Sequence, residues 1–248
     1  MKVIGMIPVR MESTRLPEKA MRKICGLPMI VHTLLRSQFA RTLEDVYVVT
    51  DSVKISNLVQ SYGGKVLMTG SHHQTGSDRL AEAAMKIDAD VIVNIQGDEA
   101  LVDPLHIDLC AEGLLNSDHK VAILLTPYNK NDRPSDIKAV VNKKNEIMYL
   151  SRADIPSASR TKSPKMLKAY HVVSFEKLYL IEYSKLEKTE LENIEFNEYL
   201  RVLEHGHKIQ GVMVQSDAVS VDTKDDLDFV TSEMLNDSLF QRYKHLVK

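Results

Sequence analysis

Short unbroken apolar runs alternate with stretches of helical spacing along the first hundred residues of this chain. Val3, Ile4, Met6 and Ile7 form the first run, closed by Pro8, which predicts a buried strand over 3–7. Ile30, Val31, Leu34 and Leu35 then recur at helical spacing within 29–40. The run 46–50 ends at Asp51, and the helical pattern over 53–62 stops at Gly63-Gly64, a favourable helix end. A strand over 65–68, a helix over 75–86 and the continuous apolar run 91–95 complete a β-α-β-α-β series. Such a series predicts a mostly parallel sheet with helices on both faces. Ligands of these sheets sit at the carboxyl ends of the strands.

Beyond Asp103-Pro104, read as a turn before the next helix, the texture changes. A strand is predicted over 121–125, and 137–141 pairs with 147–150 as a hairpin across 142–145. Residues 157–168 carry four cations and few apolar anchors, and read as a surface loop. The cations there either close over a substrate or simply carry solubilising charge. Helices are predicted over 177–183 and 193–205, short strands over 212–214 and 219–221, and a closing helix from about 224. Glu187 to Glu195 reads as a solvated helix face. Met6, Met21, Met29, Met68, Met85 and Met148 read as core filler, and His32 as a packed histidine in an apolar helix.

Composition narrows the class. A chain of 248 residues can bury a real core, and 32 Lys+Arg against 34 Asp+Glu leave it near neutral. Neither a nucleic-acid nor a membrane-surface partner is expected from that balance. No apolar run approaches a membrane span and no signal peptide is expected. The two cysteines, Cys25 and Cys110, lie far apart without metal-type spacing, which suits a reducing cytoplasm. The His72-His73 pair and His205 with His207 come without H-E-x-x-H or a Cys/His set. They read as surface or loop residues, not as zinc ligands.

The candidate chemistry lies where the first and last apolar runs of that series end. The loop 8–19 carries Arg10, Arg15 and Lys19 with hydroxyls at Ser13 and Thr14. Cations and closely approaching backbone N–H groups suit a polyphosphate, although G-x-x-x-x-G-K-[ST] is absent from the chain. The alternative is a solvated basic turn. Gln96-Gly97-Asp98-Glu99 follows the run 91–95, so the topology brings a cationic loop and an acidic tip to one edge. Asp98 reads either as a turn residue after Gly97 or as a metal ligand; Asp222 reads either as a helix N-cap or as a second ligand. Two carboxylates beside a triphosphate make a hard-oxygen Mg²⁺ site.

An ordered set of segments then carries a resemblance. Residues 8–19, Gly26-Leu27-Pro28-Met29-Ile30, Thr75-Gly76-Ser77-Asp78-Arg79, 94–99, Ser151-Arg152-Ala153-Asp154-Ile155-Pro156, Leu200-Arg201 and Val221-Asp222-Thr223 follow one another. Together they resemble the 3-deoxy-manno-octulosonate (Kdo) cytidylyltransferase family, over essentially the whole chain. The resemblance implies a nucleotide-diphospho-sugar transferase (Rossmann-like) α/β fold with a smaller embedded sugar-binding and dimerisation part. It divides the chain into a nucleotide-binding half (1–102), that part (103–210) and a return to the main sheet with a metal ligand (211–248). It also implies a cytoplasmic homodimer of lipopolysaccharide biosynthesis that uses CTP and Mg²⁺ to make a CMP-sugar and pyrophosphate. By position, Arg10, Ser13, Arg15 and Lys19 would cradle the CTP phosphates. Gln74, Thr75 and Arg79 would lie near the cytidine or phosphate edge, with Gln96 at the strand end beside them. Asp98 and Asp222 would hold Mg²⁺. Arg152 and His171 would face the acidic sugar, and Glu198 and Tyr199 would sit in its pocket.

The chain departs from the family pattern mainly on the sugar side. Val172-Val173-Ser174-Phe175 follows His171, and Tyr199 replaces a sugar-contacting Gln. Glu18 stands for a usual Gly, and Ala100 for a usual Pro. A site that hydrogen-bonds particular hydroxyls discriminates strongly, so the acceptor is expected to be Kdo or a modified 2-keto-3-deoxy sugar acid. The alternatives are a nucleotidylyltransferase for a nonulosonate or phosphonate, a spore-coat-type nucleotidyltransferase, and an inactive nucleotide-binding module.

Overall fold

The computed structural model describes residues 1–11, 16–130, 132–160, 164–216 and 219–247, the side chain of His171 excepted. Its elements in chain order are β1 (Val3–Pro8), the small ribbon β2 (Lys23–Ile24) and β3 (Leu27–Pro28), α1 (Met29–Ser37), β4 (Asp45–Thr50), α2 (Val53–Ser61), β5 (Lys65–Met68), α3 (Gly76–Ala84) and β6 (Val91–Ile95). The second half adds α4 (Pro104–Leu115), β7 (Val121–Tyr128), β8 (Lys138–Val141), β9 (Ile147–Ser151), β10 (Met166–Glu176), α5 (Lys177–Tyr183), α6 (Glu190–Glu195), α7 (Leu200–Glu204), β11 (Gln210–Met213) and α8 (Lys224–Asn236).

One twisted sheet runs β11-β7-β10-β6-β1-β4-β5, and the hairpin β8–β9 branches from it through β8 and β10. β1 pairs in parallel with β4 and β6, and β4 with β5. β10 runs antiparallel to both β6 and β7, so β7 and β11 point the same way as β1, β4, β5 and β6. The strands of the second half thus extend the sheet of the first. Alternation of side chains across the pleat splits each apolar run between two layers. Val3, Ile7, Val91, Val93 and Ile95 pack on one face with α1 and α4 residues, while Ile4, Met6 and Ile92 pack on the other with α3 and α5 residues. A third cluster, including Ile24, Leu27, Val221, Val230 and Met234, seats α8 against the β2–β3 ribbon.

Helix ends follow ordinary capping chemistry. Thr75 and Asp78 form a capping box on α3, Asp103 caps α4 with Pro104 in its first turn, and Gly63 after α2 takes the left-handed φ of +78°. His32 is packed as expected, between Tyr243 Oη (3.0 Å) and the Ile24 carbonyl (2.8 Å), and burial lowers its imidazole to about 4.

Several expectations need correction. The loop read over 157–168 ends sooner, because Met166 and Lys168 already belong to β10, a strand the polar pattern concealed. Lys168 is buried there with its Nζ 3.4 Å from Asp136. The helix expected over 193–205 is two helices, broken at Phe196, whose φ is +48°. Residues 219–221 form no strand; Val221 instead donates its N–H to the Asp98 carbonyl at 3.1 Å. The face read as solvated includes Glu192, buried and paired with Arg201 at 2.8 Å. Of the methionines read as core filler, Met6 and Met29 are buried, but Met68, Met85 and Met148 are exposed.

Candidate active site

β1 and β6 lie side by side at the centre of the sheet, and the chain leaves both at the same edge. Gly97 permits their close approach there: a Cβ at this position would meet Val9 Cγ2 at 2.5 Å and the Pro8 carbonyl at 3.3 Å. Asp98 then turns outward, and Val221 bonded to its carbonyl delivers Asp222 beside it. The cap of α8 is Thr223, boxed with Asp226. Asp222 is therefore not the N-cap, and its carboxylate points to Lys19 instead.

Lys19 Nζ bridges the two acids, 2.6 Å from Asp98 Oδ2 and 2.9 Å from Asp222 Oδ1, with all three side chains partly shielded from solvent. Burial alone would lower the lysine, yet Asp98 and then Asp222 hold it above its ordinary value. An ammonium seated between two carboxylates marks a place where positive charge is favoured. The oxygen-only donor pair around it fits a hard divalent cation such as Mg²⁺.

A cleft of about 300 Å³ opens over this triad. Arg10 stands exposed on its wall, and Arg79 is a buried part of it, donating to Thr69 Oγ1 at 2.7 Å and lying 3.4 Å from Asp51. Gln74 and Thr75 line the same cleft at the start of α3. Ser13 and Arg15 lie outside the described residues. A second cleft, of about 320 Å³, shares Gln96, Asp98 and Asp222 with the first and continues past Arg152, Glu198 and Tyr199.

The second cleft is framed by ties between distant segments. Arg152 donates to the carbonyls of Glu195 (2.6 Å), Phe196 (3.1 Å) and Pro134 (2.7 Å), while its own N–H reaches Glu195 Oε2 at 2.7 Å. Three of its five guanidinium N–H donors thus clasp the walls together, and two have no hydrogen-bond partner among the described residues. Glu198 Oε2 and Ser77 Oγ are enclosed and have no hydrogen-bond partner among the described residues. Burial raises the Glu198 carboxyl to about 6. The Tyr199 ring lies tilted against that of Phe175, with centroids 6.3 Å apart, and its hydroxyl accepts from Asn94 Nδ2 at 3.4 Å. The side chain of His171 lies outside the described residues. Ser135, Tyr170, Asn197 and Ser220 also line this cleft. Sequence reading missed them, although Asn197 abuts Glu198 and Ser220 stands two residues before Asp222.

The cytidylyltransferase family model matches residues 4–209. The chain is 35% identical over 94% of its length to the 3-deoxy-manno-octulosonate cytidylyltransferase of Geobacter metallireducens, covering 98% of that protein. It is 34% identical over 92% of its length to the 8-amino-3,8-dideoxy-manno-octulosonate cytidylyltransferase of Shewanella pealeana, covering 96% of it. Among solved structures, a CMP:2-keto-3-deoxy-manno-octonic acid synthetase complexed with CTP superimposes with a TM-score of 0.91 at 32% identity, over 95% of this chain and 99% of that one. The fold is accordingly that of the nucleotide-diphospho-sugar transferases, and the chain belongs to the 3-deoxy-manno-octulosonate cytidylyltransferase family.

Proposed function

We propose that this protein transfers CMP from CTP to the anomeric hydroxyl of a 2-keto-3-deoxy sugar acid, Kdo or a modified relative, and releases pyrophosphate. The observation that carries this reading is the wall shared by the two clefts. Gln96, Asp98 and Asp222 border both, so a nucleotide held in the first presents its α-phosphorus to an acceptor held in the second. Positioning of that kind supplies much of the acceleration in phosphoryl-group transfer.

Arg10, Lys19 and Arg79 make the first cleft cationic, which suits a triphosphate. Lys19 pairs with Asp98 and Asp222 and can turn its charge to the phosphates when they arrive. Asp98 and Asp222 would hold Mg²⁺, which when bound offsets charge on the reacting phosphates and lowers the barrier to deprotonating the attacking hydroxyl. Arg152, on the wall of the second cleft, would take the acid function of the acceptor, and Glu198 would accept from its hydroxyls. Burial makes this carboxylate a stronger hydrogen-bond acceptor than an ordinary one. The protein is further read as a cytoplasmic homodimer of lipopolysaccharide biosynthesis. Exposed Met148, Ile194 and Phe196 offer apolar surface for the dimer.

The test is pyrophosphate release with CTP, Mg²⁺ and either Kdo or its 8-amino analogue, with Asp98→Asn as the control. Release that depends on the acceptor and vanishes in the control is expected. CTP binding without release on any 2-keto-3-deoxy sugar acid would overturn the reading. Sedimentation of the purified protein as a monomer would remove the dimer from it.

A further inference from the structure

The tandem histidines His72 and His73 lie on the loop that leads into α3, and Glu82 projects from the second turn of that helix. The fold closes these three onto one point: a nitrogen of each imidazole and a carboxylate oxygen of Glu82 all lie within 4.8 Å of one another. His73 Nε2 is 2.6 Å from Glu82 Oε2, and the two imidazole rings are 4.3 Å apart. A Cβ built at Gly70 would meet His72 Nδ1 at 2.5 Å and Glu82 Oε2 at 3.5 Å, so the backbone is bare where those two groups converge. The remaining bonds of the carboxylate are already satisfied. Gly70 N–H donates to Oε2 at 2.9 Å and Lys86 to Oε1 at 2.7 Å.

We infer that His72, His73 and Glu82 form a binding site for a borderline divalent cation of the Zn²⁺ class, separate from the carboxylate pair Asp98 and Asp222. Two imidazoles and one carboxylate make a nitrogen-rich donor set that selects zinc-like ions over Mg²⁺. Ligands about 2.0 Å from a tetrahedral ion are about 3.3 Å from each other. That spacing falls between the 2.6 Å contact and the 4.8 Å limit seen here, so side-chain rotation suffices to admit the ion. Metal takes the place of the proton shared by His73 Nε2 and Glu82 Oε2, and the imidazole carries its own proton on Nδ1. Gly70 N–H and Lys86 stay on the carboxylate as outer partners that orient it. Three protein ligands leave one coordination position open, and His73 borders the nucleotide cleft.

The experiment titrates Zn²⁺ into the intact protein in excess Mg²⁺, with a chromophoric chelator as competitor, for the natural sequence, His72→Ala, Glu82→Gln and Asp98→Ala. His72 is exposed, so its replacement leaves the fold undisturbed. One Zn²⁺ per chain is expected, weakened at least about tenfold in His72→Ala and Glu82→Gln and retained in Asp98→Ala. An X-ray absorption spectrum of the bound zinc should show imidazole scattering that falls in His72→Ala. Stoichiometric binding unchanged in His72→Ala, loss in Asp98→Ala alone, or no binding by the natural sequence would each overturn the assignment.

Discussion

The two clefts that meet at Asp98 are built in opposite ways. The first cleft, the one we assign to the nucleotide, takes its walls from short contiguous segments at the ends of neighbouring parallel strands and at the start of α3. The acceptor cleft gathers Arg152, the 196–199 bend and β10 residues from separate parts of the chain. Those parts are held by polar ties such as the partly buried one from Arg152 to Glu195 and the buried one from Arg201 to Glu192. A cleft made of strand ends inherits its geometry from the sheet. A cleft made of clasped segments depends on each clasp, and its shape changes with single residues.

That contrast can be broken or sharpened experimentally. The largest effect is expected at the shared wall. Asp98→Asn should lower kcat by roughly 10²–10³-fold or more while leaving the melting temperature nearly unchanged; a loss of less than tenfold would separate the wall from the chemistry. Next comes Arg201→Ala, which leaves Glu192 buried and unpaired. It should cost about 3–5 kcal/mol in denaturant unfolding and disorder the acceptor cleft more than the nucleotide cleft, read as a larger change in acceptor KM than in CTP KM. Gly97→Ala drives a methyl against Val9 and should cost about 1–3 kcal/mol, here with CTP binding hit first. An equal loss of both substrates would erase the distinction between the clefts.

The smallest effect concerns Glu198, and its sign follows from linkage. Its folded carboxyl titrates near 6, above an ordinary 4.5. The unfolded chain therefore releases the proton first, and ionisation costs the fold stability as pH rises from about 4.5 to about 6. Glu198→Gln should raise stability by at most about 2 kcal/mol above pH 6 and have no effect below pH 4.5, measured by unfolding at pH 4 and pH 7.5. The same variant should weaken acceptor use without affecting CTP binding. A gain that is equal at both pH values would show that the carboxyl is not perturbed.

Most of the nucleotide cleft was legible before folding. The runs 3–7 and 91–95 are apolar on both faces because both faces of the sheet are covered, and their ends mark the binding edge. The glycines at 63–64 announced the end of α2. The acceptor side was harder to read for physical reasons. β10 carries Lys168 inward because Asp136 meets its charge, so the strand lacks a clean apolar face. The bend at Phe196 breaks what periodicity presents as one helix. Glu192 looks like one more surface acid until Arg201 arrives nine residues later in the chain and directly beside it in space.

By itself, the sequence determined the parallel sheet, its helices and the identity of the groups at its carboxyl edge, because hydrophobic period and capping are local properties. Only the tertiary structure decided which of those groups face one another. It turned Asp222 away from its helix cap toward Lys19 and Asp98, made Arg152 a clasp between Pro134 and the Glu195–Phe196 segment, and set His72, His73 and Glu82 around one point. Charge, burial and distance between side chains remote in sequence are settled by packing, and no window of neighbouring residues contains them.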